Sequence, residues 1–333
     1  MKELTQAIEE CAAEHDFSGV VSVYRDNETI YSRGFGFADV KNKVENRIDT
    51  RFGLASGTKL LTALGIGRLI DSGVLSFHTR VKDIDHRLTG FIDPDATILN
   101  LLTHTSGIYD YLDEESIADF EDYHLEIPWF KLQTPTDYLP LFEGRSARSE
   151  ANKGFSYSNG GYVVLGMIIE WKSSRLYRDF IQTEVLTPAM MESSGFFALN
   201  DLPGNTANGY LRDGQTTNIY CIPIRGGGDG GIYSTSDDLH RMWQSLISAQ
   251  ILSPDLTRKF LKAKVNLGGS VGYGCGLYTD EANSVYGIVG GDSGVGMDSR
   301  FYAKTSSVIN ILSNKTDGEE RMREAISQAL LDI

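Results

Sequence analysis

Ser56-Gly57-Thr58-Lys59 sets a hydroxyl and an amine three residues apart, where a helix is predicted to begin. Residues at i and i+3 share one helix face, about 4.5 Å apart along the axis. A serine hydroxyl attacks poorly at neutral pH unless a base takes its proton, and a lysine with a lowered pKa can be that base. The pair therefore supplies a nucleophile and its activator together. The plain alternative is an exposed helical lysine after an N-cap serine, and the surrounding residues argue against it. Arg51-Phe52-Gly53-Leu54-Ala55 leads in as a short, mostly apolar run. Leu60, Leu61, Leu64, Leu69 and Ile70 then recur at helical spacing, and Asp71-Ser72-Gly73 supplies a stop. A helix apolar on most of its surface is a buried one. Lysine is seldom buried without a partner, so Lys59 at the mouth of this helix marks a site.

The elements that must hold this pair come from both ends of the chain. Residues 1–10 read as an amphipathic helix, and 19–24 and 29–32 as two strands joined by a polar turn at 25–28. From about 76 to 200 the pattern is mostly helical, with 97–103, 159–172 and 177–186 the clearest pieces. An acidic and aromatic loop over 109–150 interrupts it, and loops of that length in compact proteins carry function or disorder. Beyond about 209 come a helix over 236–248, strands over 271–277, 285–289, 299–303 and 308–312, and a closing amphipathic helix over 319–331. The fold class this predicts is α/β of the α+β type, an antiparallel sheet flanked by helices and built from both chain ends, with an inserted helical lobe. The expected division is a sheet lobe from 1–75 and 210–333 and a helical lobe from 76–209. They form one unit, with the site in the cleft between them.

Composition narrows the partners. Forty-five acidic residues against 31 basic give a net charge of −14, which repels phosphate backbones and anionic membrane surfaces. A small-molecule substrate is expected, with neither nucleic acid nor a membrane anchor. The N-terminus has no basic segment followed by an apolar one, so the expectation is a cytoplasmic protein. Cys11, Cys221 and Cys275 are odd in number, far apart and never in a CxxC arrangement, and read as reduced thiols. The six histidines include no helical i, i+4 pair beside a carboxylate, and Asp83-Ile84-Asp85-His86 reads as a solvated turn, so neither metal nor cofactor is expected.

A hundred residues after the first motif, Phe155-Ser156-Tyr157-Ser158-Asn159 brings a tyrosine and an asparagine two apart just before a strongly apolar helix. With Ser56 and Lys59, this set resembles the penicillin-recognising serine hydrolases, in the branch of class C β-lactamases, D-alanyl-D-alanine carboxypeptidases, D-aminopeptidases and related esterases. Leu101-Leu102-Thr103-His104-Thr105-Ser106-Gly107 looks like that family's helix-to-loop signature, and residues 230–239 are similar to its later glycine turn and helix start. The resemblance covers nearly the whole chain. It implies that Ser56 is acylated, that Lys59 and Tyr157 move its proton, and that Asn159 binds the acylamino side of the substrate. The reaction implied is acyl-enzyme hydrolysis of a small ester, amide or D-amino-acid peptide.

The third family element departs from the pattern. The family has Lys or His, a variable residue and Gly on the strand lining the site, whereas this chain has Ile288-Val289-Gly290, followed by Gly291-Asp292-Ser293-Gly294. Isoleucine can neither bond a substrate carboxylate nor support the tyrosine. The expectation for β-lactams and peptides ending in a free carboxylate falls accordingly. Gly290 and Gly291 remain useful, since a backbone N–H at Gly291 can join that of Ser56 as an oxyanion hole. Asp292 beside the pocket favours substrates with a free amine. The alternative is a homologue that binds or acylates without turnover, acting as a penicillin-binding or sensor protein. Three look-alikes are set aside. Gly291-Asp292-Ser293-Gly294 looks like the nucleophile segment of chymotrypsin-like proteases, whose chemistry needs a buried His and Asp, but reads better as a glycine-rich strand end, and His104 with Ser106 reads as a satisfied cap and turn. Gly226, Gly228 and Gly231 match GxGxxG without a βαβ unit, and Lys304 reads as a hairpin-turn residue.

Overall fold

Strands from the two ends of the chain meet in a single eight-stranded antiparallel sheet, ordered 28–35, 19–25, 307–313, 295–302, 285–292, 278–280, 271–273 and 265–268. The computed structural model describes residues 2–331; Met1, where the first helix was expected to start, lies outside them. β1 (Gly19–Arg25) and β2 (Glu28–Phe35) form a hairpin whose turn residues Asp26 and Asn27 have φ of 51° and 68°, as a two-residue turn with left-handed backbone requires. β1 also pairs with β12 (Ser307–Ser313), in register Val20↔Leu312 and Val23↔Ile309. Alternate residues of these strands serve opposite faces. Val21, Val23, Ile309 and Ile311 pack under α1 (Lys2–Glu14) and the C-terminal helix α9 (Glu320–Leu331). Val20, Tyr24, Val308 and Leu312 join the main core on the other face.

That main core is built around two helices apolar on nearly every side, α2 (Thr58–Asp71) and α5 (Asn159–Ser173), which pack on each other. Between them lie only the short helices α3 (Ile98–Leu102) and α4 (Leu139–Phe142) and single turns, so helix is sparser over 76–158 than expected. α6 (Tyr177–Ile181) runs into a π-turn, Gln182–Leu186, and α7 (Ser236–Ile247) and α8 (Pro254–Leu261) follow. Two small ladders, β3 (Phe37–Asp39) with β4 (Val44–Glu45) and β5 (Phe52–Gly53) with β6 (Tyr233–Ser234), lie outside the main sheet. The second of them carries the chain into α2.

The far half of the sheet is β7 (Val265–Gly268), β8 (Val271–Tyr273), β9 (Tyr278–Asp280), β10 (Val285–Asp292) and β11 (Val295–Tyr302). The single strand expected over 271–277 is broken at Gly274-Cys275-Gly276. Gly276 has φ of 81°, and a Cβ there would lie 2.8 Å from Ala63 of α2, so the chain bends to clear the helix. β9 covers β10 only over residues 285–287, leaving the edge from Ile288 onward free. The 3₁₀ turn Ala55–Gly57 packs there.

Candidate active site

Ser56 sits on a turn fixed from three sides. Upstream, Leu54 N–H donates to Ile232 O at 2.8 Å, extending the β5–β6 ladder. Ala55 is held at φ 42°, a strained left-handed conformation for a residue with a side chain. Thr58 Oγ1 ties the turn down by donating to Ala55 O at 2.7 Å. On the third side Gly290 of β10 comes so close that a Cβ there would lie 2.2 Å from Leu54 O and 3.0 Å from Ser56 N. The result is a partly exposed hydroxyl on an otherwise buried turn.

Lys59, one turn on, is 1% exposed. Its Nζ lies 2.8 Å from Ser56 Oγ, 2.7 Å from Asn159 Oδ1 and 2.8 Å from Asp229 O. The last two are carbonyl oxygens and can only accept. They engage two N–H groups of the amine, and the third tetrahedral position faces the serine hydroxyl. Burial pushes the Lys59 pKa down, while the carboxylates of Asp229, Glu114, Asp110 and Asp292 pull it back up. A neutral amine with its lone pair toward Ser56 fits these three partners.

Tyr157 approaches from the loop before α5. Lys59 Nζ lies 4.9 Å from its ring centroid, and Ser56 offsets a small part of the burial that raises its pKa. Desolvation holds the phenol well above its ordinary pKa, so it is a protonated donor. His104 supports the ring from behind. It is 2% exposed with φ 55°, and its ring centroid lies 4.4 Å from that of Tyr157. His104 Nδ1 accepts Ser158 N–H at 3.0 Å, which leaves the proton on Nε2 to donate to Tyr273 OH at 3.1 Å. Burial lowers the His104 pKa well below the ordinary value, so the ring is neutral. The cap-and-turn reading of His104 gains a specific content here: it fixes the backbone next to Tyr157.

Asn159 is placed differently from expectation. Its Oδ1 accepts from Lys59, and its Nδ2 donates to Leu112 O at 3.0 Å and Glu114 Oε1 at 2.8 Å, so the amide is engaged by protein on both ends. It holds the lysine. Gly290 likewise is buried against the serine turn and is not open to ligand, whereas a Cβ at Gly291 would meet nothing within 4 Å. Ile288 is 3% exposed and belongs to the main core. Asp292 lies at the cleft wall with its pKa pushed up to about 7 by desolvation and by the nearby Glu114 and Asp229.

The cleft over Ser56 is lined by Tyr111, Glu114, Trp129, Asp229, Gly291 and Asp292, among others. Its acidic members Glu114 and Asp229, and Asp110 behind them, were missed in the sequence. Asp110 accepts N–H groups of Asn159 at 2.9 Å and Gly160 at 2.8 Å at the start of α5, with its own pKa raised to about 7 by burial. Asp229 accepts from Tyr111 OH at 2.5 Å, and burial raises its pKa. The signal for Asp229 was the glycine run around it. A Cβ at Gly228 would lie 2.2 Å from Tyr162 O, so this segment threads between helices, which explains the glycines without a phosphate. The 109–150 loop is fastened to later parts of the chain: Arg212 bonds Asp119 and Asp317, each at 2.7 Å, and Glu121 accepts from Thr316 Oγ1 at 2.6 Å. Lys304 lies in the β11–β12 turn, and all three cysteines are free.

With this fold and geometry in place, comparison with known proteins gives the family. The model described as Beta-lactamase matches residues 4–332, and the chain belongs to that family. A penicillin-binding protein of Bacillus subtilis (strain 168) is 31% identical over 96% of this chain and 73% of its own. A penicillin binding protein from Bacillus halodurans superposes with a TM-score of 0.91 at 33% identity, covering 96% of this chain and 99% of that one. The D-amino acid amidase from Ochrobactrum anthropi SV3 shares the fold, with a TM-score of 0.79 at 20% identity over 99% of each chain. No helix among the described residues is long and apolar enough to cross a membrane.

Proposed function

We propose that the protein is a serine hydrolase that works through an acyl-enzyme at Ser56, on a small ester, amide or D-amino-acid peptide held between the two lobes. The observation that carries this reading is the set of partners at Lys59 Nζ, with two carbonyl acceptors and the serine hydroxyl all within 2.8 Å. Neutral Lys59 accepts the Ser56 proton as Oγ attacks the substrate carbonyl. The N–H groups of Ser56 and Gly291 stabilise the oxyanion. The Tyr157 phenol donates a proton to the leaving oxygen or nitrogen, and the proton on Lys59 restores the phenol. Attack of water on the ester carbonyl then regenerates Ser56. Asn159 acts through Lys59, as a positioning residue.

Substrates carrying a free amine are favoured, because Glu114, Asp229 and Asp292 line the cleft and no Lys or Arg does. A bound ammonium offsets the desolvation, and with it the mutual repulsion, that raise the Asp292 pKa. Intact-mass measurement after incubation with a fluorophosphonate tests the reading: one adduct on the wild type and none on Ser56→Ala is expected, and an adduct that persists in Ser56→Ala refutes it. Equal hydrolysis of a D-amino-acid amide and its N-acetyl form removes the amine preference. Ile288 favours a second reading, a binding or sensor protein that acylates without turnover. Its signature is a burst of one equivalent with no steady state after it.

A further inference from the structure

The loop that walls the cleft carries an apolar surface on its outer side. Phe130 is 62% exposed and Tyr220 84%, and with Leu125, Ile127, Ile219 and Ile224 they line one concave face. No Asp, Glu, Lys or Arg lines this face, in contrast to the acidic cleft beside it. Exposed aromatic rings gathered on one concave face mark a surface that meets an apolar group.

The two surfaces adjoin. Trp129, 9% exposed, belongs to both walls. Residues 221–223 line the cleft, while their chain neighbours Tyr220 and Ile224 line the apolar face. An extended molecule whose carbonyl reaches Ser56 can therefore lay its far end across Trp129 onto Phe130 and Tyr220.

We propose that this shelf is a substrate subsite for an alkyl or aryl group, so that the preferred substrates are amphiphilic, with an amine in the acidic cleft and an apolar extension on the shelf. The proposal rests on the acyl-hydrolase reading above. Each methylene transferred from water to such a wall raises kcat/KM by up to about fourfold. Phe130 and Tyr220 are exposed, so their replacement by serine leaves the core intact.

The test compares p-nitrophenyl acetate with p-nitrophenyl octanoate, in the wild type and in Phe130→Ser/Tyr220→Ser. The octanoate-to-acetate ratio of kcat/KM is expected to fall about tenfold in the double variant, and an unchanged ratio overturns the proposal. Calorimetric binding of n-octylamine and n-butylamine to Ser56→Ala reads the shelf without any turnover. Octylamine is expected to bind at least tenfold tighter, and equal affinities overturn the proposal even if the enzyme is active. Failure of every ester to turn over while octylamine still binds tighter counts against the hydrolase reading and leaves the shelf supported. Sedimentation provides the remaining arm: if the double substitution dissociates an oligomer, the face belongs to a second copy of the chain and the proposal falls.

Discussion

Gly290→Ala tests the claim that β10 sets the position of the nucleophile. The added methyl would lie 2.2 Å from Leu54 O and 3.0 Å from the nitrogens of Ser56 and Gly57. A carbon and a carbonyl oxygen rest at about 3.3 Å or more, so roughly 1 Å must open between strand and turn. β10 is held by β11 along its whole length, Val285↔Tyr302 to Asp292↔Val295, and yields less than the short turn does. The turn carries Ser56. A 1 Å displacement of a reacting group costs about 100-fold in rate, or about 2.7 kcal/mol of transition-state stabilisation, and overpacking costs stability of about 1–3 kcal/mol.

Stopped-flow acylation by a chromogenic ester, paired with thermal unfolding, reads both effects. Gly291→Ala is the internal comparison, because its methyl would point into open space. Acylation is expected to fall about 100-fold in Gly290→Ala and by far less in Gly291→Ala. If Gly290→Ala acylates within about threefold of the wild type, the close approach of β10 does not position Ser56 and the geometric reasoning is wrong.

Further outcomes follow from three buried groups. On the proposed mechanism Lys59→Met removes the base, and it is expected to lower the acylation rate by about 10²–10⁴. In the wild type that rate rises with pH as Lys59 loses its proton, below the pH at which a free lysine would, because burial lowers its pKa; a flat pH profile of the burst would contradict this. His104→Phe removes the acceptor for Ser158 N–H, and is expected to slow acylation about tenfold on the Tyr157 background but hardly at all on Tyr157→Phe. Additive losses in that double-mutant cycle would reduce His104 to general packing. Glu319, 8% exposed with Oε2 unpartnered, has its pKa raised from 4.5 to about 7 by burial. The folded state keeps this proton more tightly than the unfolded chain, so the group's contribution to stability is full below about pH 4.5 and lost as pH rises through 7. Glu319→Gln should therefore gain on the order of 2 kcal/mol at pH 8 and nothing near pH 4, as measured by denaturant unfolding.

The parts of the fold and site that were legible in the sequence are those written in local spacing. Ser56 and Lys59 share a turn, and α2 and α5 announce themselves by apolar residues on every side, so helix, pair and burial all follow from neighbours in the chain. The strand-like apolar runs of β1 and β12 at the two chain ends predicted a sheet drawn from both of them for the same reason. What stayed hidden depends on contacts between distant segments. Asp110 and Asp229 were not picked out as site residues, because nothing nearby in sequence says that one will meet the bare N–H groups of α5 and the other a buried tyrosine. Asn159 was expected to face the substrate because its motif does so by resemblance. Glu114 and Leu112, from a loop with no periodic pattern, fill both its donors. The break at 274–276 was invisible because Gly276 bends to clear Ala63, a residue two hundred positions earlier. The substitution at Ile288 was visible as a missing cation, and its consequence is spatial. Buried in the core, this side chain brings no charge to the cleft, and the carboxylates of Asp229 and Glu114 act on the buried Lys59 amine. Together with the acidic cleft, this missing cation supports the proposal that the site holds a substrate's amine and not its carboxylate.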